Sequence, residues 1–186
     1  LILEPKTFKL LLKFGVTQPS DLAFINPNDQ FYNQHDAHEL QNGNIIMFDD
    51  GTSRPKSEGG PYARAIEYHL DLKHKILTKV WEFRPKHDLQ CEEGGSARRI
   101  KNGHTIIDFG ASNLDIKHVI EAGQKSNSLI ADLSISSGLP NNKFLLYRAV
   151  PISSIYGEIM VKMSNCSFET DFIFAKFEEQ YDQKID

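Results

Sequence analysis

The sequence predicts an all-β protein assembled from four-stranded antiparallel sheets that recur along the chain. Three observations lead there. Residues 36–50 (DAHELQNGNIIMFDD) align with residues 96–110 (SARRIKNGHTIIDFG), so that Asn42-Gly43 falls on Asn102-Gly103 and Ile45-Ile46-Met47 on Thr105-Ile106-Ile107. Residues 63–70 (ARAIEYHL), after the first copy, alternate well enough for a strand. No stretch carries a convincing amphipathic helix. A β-rich unit that returns with its turn signal in place marks a propeller or a related repeat architecture.

The elements follow in order. Residues 7–14 (TFKLLLKF) read as a strand after a polar turn, ended by Gly15, and residues 16–33, rich in Pro, Asn and Asp, as a connecting loop. The first full unit starts at Gln34 and reaches the Asn42-Gly43 turn, a strong hairpin signal because both residue types tolerate positive φ. Residues 44–48 return, 49–61 form a long polar loop, 63–70 (ARAIEYHL) form a third strand, and 76–83 (ILTKVWEF) form the outermost one. Strand, tight turn, strand, long loop, strand, turn, strand is one propeller blade. The second unit repeats this around Asn102-Gly103, with strands expected at 116–121 and 128–135. Residues 144–150 (FLLYRAV) open a third strand group, and 168–177 (FETDFIFAKF) alternate before a polar tail.

This organisation gives a partial propeller over 1–156, of about three blades: a remnant at 1–16, blades at 34–86 and 94–136, and the next from 144, with 157–186 as a separate C-terminal segment. A closed propeller needs at least four blades of roughly 40–45 residues each. The chain starts at Leu1 without Met, so a fragment of a longer repeat protein is expected.

The formal net charge of −4 with scattered Lys and Arg argues against a nucleic-acid groove or a polybasic membrane patch. No apolar run approaches a membrane span. Cys91 and Cys166 lack CxxC spacing and are either one disulfide or two thiols. The Asn165-Cys166-Ser167 triplet fits glycosylation but is common by chance. There is no phosphate-binding glycine loop, HExxH or EF-hand pattern, and Asp49-Asp50-Gly51 with Asp36 reads as a turn before it reads as a cation site.

An ordered set of motifs carries a family resemblance. Gln34-His35-Asp36, the run from Asn42 to Asp49, Arg54, Tyr62-Ala63-Arg64-Ala65-Ile66-Glu67-Tyr68 and Val80-Trp81-Glu82-Phe83 resemble the aryl-sulfate sulfotransferase (arylsulfotransferase) family. Gly95-Ser96-Ala97-Arg98, Asn102-Gly103 and Tyr147-Arg148-Ala149 follow in the same order. The match covers residues 30–150 well and the ends poorly. The resemblance implies a six-bladed propeller with a polar central funnel. It also implies sulfuryl transfer from an aryl sulfate to a phenol without a nucleotide donor or other cofactor, through a transiently sulfated histidine. Small-molecule partners, with neither nucleic acid nor membrane, and a periplasmic or secreted location go with it.

Sulfuryl transfer, like phosphoryl transfer, needs fixed donors around three charged oxygens, an in-line nucleophile and a proton source. Histidine and arginine suit these roles. By the resemblance, His35 and Arg54 are the catalytic candidates, His35 entering an inner strand and Arg54 in the loop where the family carries a sulfate-binding arginine; otherwise they are a blade-capping imidazole and a solvated loop guanidinium. Arg64, His38, Arg98 and His87 are candidates for substrate binding. Arg64 otherwise pairs with an acid such as Glu67, and His38 and Arg98, counterparts sharing one face in the two units, are otherwise solvated. Asp36 is expected to bond backbone amides, His104 to be structural, and His69, His74 and His118 to be solvated.

The family's sulfated histidine comes from another blade than that of His35, and the equivalent point in the next unit is Gly95-Ser96. A shifted register, His87, a blade outside this chain, or loss of catalysis all account for that. The competing readings are therefore a propeller kept as a ligand- or protein-binding module and a generic quinoprotein-like or lectin-like propeller.

Overall fold

A computed structural model gives the structure and describes residues 2–3, 6–7, 9–15, 19–110, 116–137 and 144–151. The chain divides into two compact units, Leu1–Ile152 and Ser153–Asp186. The second, with the expected strand at 168–177 and Cys166, lies outside the described residues. The fold is all-β. Among the described residues the strands close neither a barrel nor a propeller.

The described residues form three sheets. β1 (Ile2–Leu3) and β2 (Leu10–Leu12) form an antiparallel pair. The central sheet contains β3 (Ala23–Phe24), β4 (Gln34–Glu39), β5 (Ile45–Asp49), β6 (Arg64–Asp71) and β7 (Ile76–Phe83), in the order β3-β7-β6-β5-β4. The last sheet contains β8 (Ser96–Arg99), β9 (Thr105–Phe109), β10 (Ile116–Ala122) and β11 (Leu129–Ser136), in the order β11-β10-β9-β8. Each repeat is thus a four-stranded meander, as expected. Two expectations are corrected. Residues 76–83 are not outermost, because β3 pairs with β7 in parallel through Ala23 N to Lys75 O and Ile25 N to Leu77 O, both 2.9 Å. Residues 144–151 form no strand; they hook onto the last sheet through Leu146 N to Gly110 O and Gly95 N to Tyr147 O, both 3.2 Å.

The two copied turns are built alike. Gly43 N donates to Leu40 O and Leu40 N to Asn44 O; Gly103 N donates to Ile100 O and Ile100 N to His104 O. Only the glycine has positive φ, +80° at Gly43 and +82° at Gly103. The asparagine works through its side chain instead, with Asn42 Oδ1 accepting from Asn44 N and Asn102 Oδ1 from His104 N. This is the three-residue hairpin with a left-handed glycine, rather than the two-residue turn with both φ positive.

The sheets stack face to back. Ile45 and Met47 pack with Leu22, Phe31, Ile66, Tyr68 and Leu77 on one face of the central sheet. Ile46 and Phe48 pack on the other face against Ala97, Ile107, Phe109, Ile120 and Ala122 of the last sheet. The Phe48 and Phe109 rings meet edge to face at 5.3 Å, and Trp81 Nε1 donates to Gly123 O at 3.2 Å. Side chains alternate along a strand, so Met47 and its counterpart Ile107 both face the preceding part of the chain. Ile46 and Ile106 both face the following part.

Candidate functional site

The strand ends around His35 gather the polar groups of this joint. β4 pairs His35 with Phe48 and His38 with Ile46, so Asp36 and Ala37 together oppose Met47. That bulge, with Asp36 at φ +54°, turns two histidines three residues apart onto one face, where a regular strand would send them to opposite faces. Asp50 continues the alternation of Ile46 and Phe48 and reaches the same face.

His35 Nε2 lies 3.0 Å from Asp50 Oδ2. The Asp50 carboxylate is buried, and its Oδ1 accepts from Thr52 N and Thr52 Oγ1, both at 3.0 Å. An ionised carboxylate only accepts, so the hydrogen bond runs from His35 Nε2, and in the neutral imidazole the lone pair then sits on Nδ1. The His35 side chain is 29% exposed, which leaves that edge reachable. His38 Nδ1 lies 2.9 Å from the Asp36 carbonyl oxygen and donates to it.

Arg54 is not brought to His35. It is fully buried, and its guanidinium binds Asp49 Oδ2 and Gln30 O, flanked by the Tyr32 and Tyr62 rings at 4.9 and 4.2 Å. Asp49 points away from Asp50 by alternation, so Arg54 and His35 serve opposite faces of the central sheet. The expectation of a solvated loop arginine is also corrected, because Asp49 draws the side chain inside. Arg64 shares this cluster: Nε meets Asp49 Oδ2 at 3.0 Å and Nη1 meets Glu82 Oε2 at 3.2 Å, not Glu67. Glu67 is held by Arg99 and by Asn44 Nδ2. Burial pushes the Asp49 carboxyl above the usual carboxylate range, against the pull of Arg64 and Arg54. Gly51 makes the turn after these aspartates possible, since at φ +66° a Cβ would sit 2.1 Å from the Tyr62 carbonyl oxygen.

Arg98, on β8, reaches across to Asp36, which Arg148 also approaches at 3.5 Å. Asp36 therefore binds guanidiniums rather than the expected backbone amides. At the equivalent of His35 stands Gly95, where a Cβ would lie 2.5 Å from the Phe48 ring. The Ser96 hydroxyl and the Ala149 backbone bond each other at 3.1 Å. His87 is exposed in the loop whose Arg84 and Asp88 pair with each other. His104 holds Glu121 at 2.6 Å, His118 holds Asp132 at 2.9 Å, His69 meets Asn44 Oδ1 at 3.1 Å, and His74 pairs with Asp71 at the surface. A cavity of about 240 Å³ is lined by Phe14, Phe31, Ile45 and Met47 together with Gln34 and His38 of β4.

Two buried acids in this region have no place in the sequence-based candidate set. Asp50 was legible, because residues 46, 48 and 50 must share the face of His35 once β4 and β5 pair. Asp108 sits at the end of β9, and among the described residues its carboxylate oxygens have no hydrogen-bond partner beyond a weak downward pull from the Gly110 backbone amide. Burial pushes its carboxyl up to about 7. Nearby Cys91 is a buried free thiol, pushed up to about 12 by burial and then by Asp108 and Asp50. Asp49, Asp50 and Asp36 are committed to Arg54 and Arg64, His35, and Arg98 and Arg148 respectively. Among the described residues no group of histidine, cysteine and carboxylate side chains is arranged to hold a metal ion.

Comparison with known proteins agrees with the sequence resemblance. The family described as arylsulfotransferase (ASST) matches residues 13–148, well over half of the chain. The arylsulfate sulfotransferase AssT of Escherichia coli O6:H1 is 25% identical over 153 residues, which cover 73% of this chain and 24% of that protein. The chain spans about a quarter of the length of that relative.

Proposed function

We propose that this chain, which belongs to the arylsulfotransferase (ASST) family, transfers a sulfuryl group from an aryl sulfate to a phenol at the strand ends around His35. The observation that supports this most is the His35–Asp50 pair, a partly exposed imidazole oriented through Nε2 by a buried carboxylate. In the proposed reaction Nδ1 of His35 attacks sulfur and the bond from sulfur to the aryl oxygen breaks. Its electron pair leaves on that oxygen, which takes up a proton from solvent. The acceptor phenol oxygen then attacks the sulfohistidine sulfur, the nitrogen–sulfur bond breaks to return the imidazole, and the phenol's proton goes to solvent. No nucleotide donor or cofactor takes part.

Fixed donors aimed at the three sulfuryl oxygens lower such a barrier. Arg98 and His38 are proposed for that work, because both lie at the innermost strands. Arg54 and Arg64 are proposed to act at a distance, by fixing Asp49 and the loop that carries Asp50. His87 has no part. The proposed architecture is a pair of adjoining blades, 34–86 and 94–136, in a six-bladed propeller whose next blade begins at 144. Face-to-back stacking of the two repeats supports it, since blades around an axis each present one face to the blade before.

A second reading, a propeller kept as a binding module, is favoured by Gly95. The Phe48 ring fills the place a side chain would need there, so the second unit offers no histidine beside His35. One experiment separates the two. The chain is given 4-nitrophenyl sulfate and phenol without nucleotide, and 4-nitrophenolate release is followed for the native sequence and His35→Gln. Transfer that falls at least about a hundredfold in the variant is expected for an imidazole in the reaction. A folded chain that binds the aryl sulfate and never turns it over makes the binding module the better account.

A further inference from the structure

Asp36 is a carboxylate with an unusual amount of structure around it. Its backbone holds the left-handed conformation at φ +54° that asparagine and aspartate tolerate best among residues with a side chain. The bulge thereby turns its side chain into the joint, where only 3% of it is exposed. Arg98 Nη2 from the neighbouring sheet binds Oδ1, and Arg148 Nη1 approaches the same oxygen at 3.5 Å. Arg148 is steered there by its own backbone, because Tyr147 O accepts from Gly95 N and Ala149 is paired to Ser96. Three separate stretches of chain thus converge one residue from His35.

Their charges do not cancel. Two guanidiniums share one carboxylate, which leaves one net positive charge. Both cations remain open to solvent, Arg98 at 31% and Arg148 at 39% side-chain exposure. Within the cluster Arg98 Nε and Asp36 Oδ2 are buried with no hydrogen-bond partner among the described residues. An orphaned donor on a guanidinium is a costly thing to keep unless something accepts from it. Guanidinium forks match tetrahedral oxyanions bidentately.

We propose that Arg98 and Arg148, held side by side by the positioning residue Asp36, form a seat for the sulfonate end of a singly charged sulfate ester. This rests on the proposed sulfuryl transfer and adds to it a basis for choosing the substrate. The seat carries one net positive charge, which balances an aryl sulfate monoanion. A phosphate monoester is close to doubly charged at neutral pH and leaves one negative charge uncompensated beside Asp36. Asp36 therefore both sets the spacing of the two cations and tunes their charge against phosphate.

The test measures binding of 4-nitrophenyl sulfate and of 4-nitrophenyl phosphate by calorimetry at fixed ionic strength, with urea unfolding as a control on folding. Arg148→Gln, a half-exposed site, is expected to keep the unfolding midpoint and to weaken the sulfate ester at least about tenfold, the loss of a charge-assisted bidentate contact. Arg148→Lys restores part of the affinity, because the ammonium keeps the charge without the fork. Asp36→Asn shifts the ratio of sulfate to phosphate affinity toward phosphate. A bystander salt bridge would move only the midpoint. Unchanged sulfate affinity in Arg148→Gln, an unchanged ratio in a folded Asp36→Asn, or a native chain that does not bind the sulfate ester at millimolar concentration overturns the proposal. Weakened binding in a chain with no transfer leaves the seat standing and removes the transfer. Transfer that is indifferent to Arg148→Gln removes the seat and leaves the transfer.

Discussion

The two repeated sheets end their second strands with the same two residue types in reverse order: Phe48-Asp49 in the first and Asp108-Phe109 in the second. Because strand faces alternate, the reversal sends Phe48 forward and Phe109 backward, and the rings meet at 5.3 Å in the joint between the sheets. It also sends the aspartates outward in opposite directions. Asp49 finds two guanidiniums and locks the loop behind the central sheet. Asp108 is equally buried and, among the described residues, finds no guanidinium. The turns of the two units meanwhile stay alike down to individual hydrogen bonds. The turns therefore carry the repeat, while the strand ends are where the copies have diverged and where the candidate chemistry lies.

The strongest way to break this contrast is Asp49→Ala. It leaves Arg54 and part of Arg64 buried without their carboxylate and is expected to cost about 3–5 kcal/mol, read from the urea midpoint of the chain. A loss below about 1 kcal/mol would show that the cluster does not hold the loop.

The second aspartate is expected to behave in the opposite sense. The Asp108 carboxyl titrates near 7 in the fold against an ordinary value of 3.8. The folded chain thus holds this proton longer than the unfolded chain, and stability contributed by the neutral form is lost as pH rises from about 4 to about 7. Asp108→Asn removes that ionisation, so the variant gains on the parent as pH rises and is expected to be more stable at pH 8, by an amount on the order of a few kcal/mol. Unfolding curves at pH 5 and pH 8 check it; parallel pH profiles for the two chains would mean Asp108 is solvated or paired.

The smallest effect sharpens the likeness of the turns. His104→Asn recreates the residue found at position 44, where Asn44 Nδ2 reaches Glu67 as His104 reaches Glu121. The change in stability is expected to stay within about 0.5 kcal/mol. A larger loss would mean that the two turns are not interchangeable.

The sequence made the eight strands of the two repeats legible because alternation and Asn-Gly are local signals. What it hid was non-local. β3 is two residues long, and its parallel pairing with β7 has no periodic signature. The bulge at Asp36 and Ala37 appears only once β4 is laid against β5, and with it the shared face of His35 and His38. Arg54 was placed by its position in a loop, where no period tells which face a side chain will serve. Its partner Asp49 decides that. Asp50 lies on the same alternation as Ile46 and Phe48, two residues past the apolar run that marks the strand.

The most direct test of the central claim is the mass of the chain after brief incubation with 4-nitrophenyl sulfate in the absence of phenol, followed by peptide mapping. The account predicts one added sulfuryl group on the peptide that contains His35, lost again when phenol is supplied and absent from His35→Gln. A sulfuryl group on any other peptide, or persistence of the adduct in His35→Gln, would contradict it.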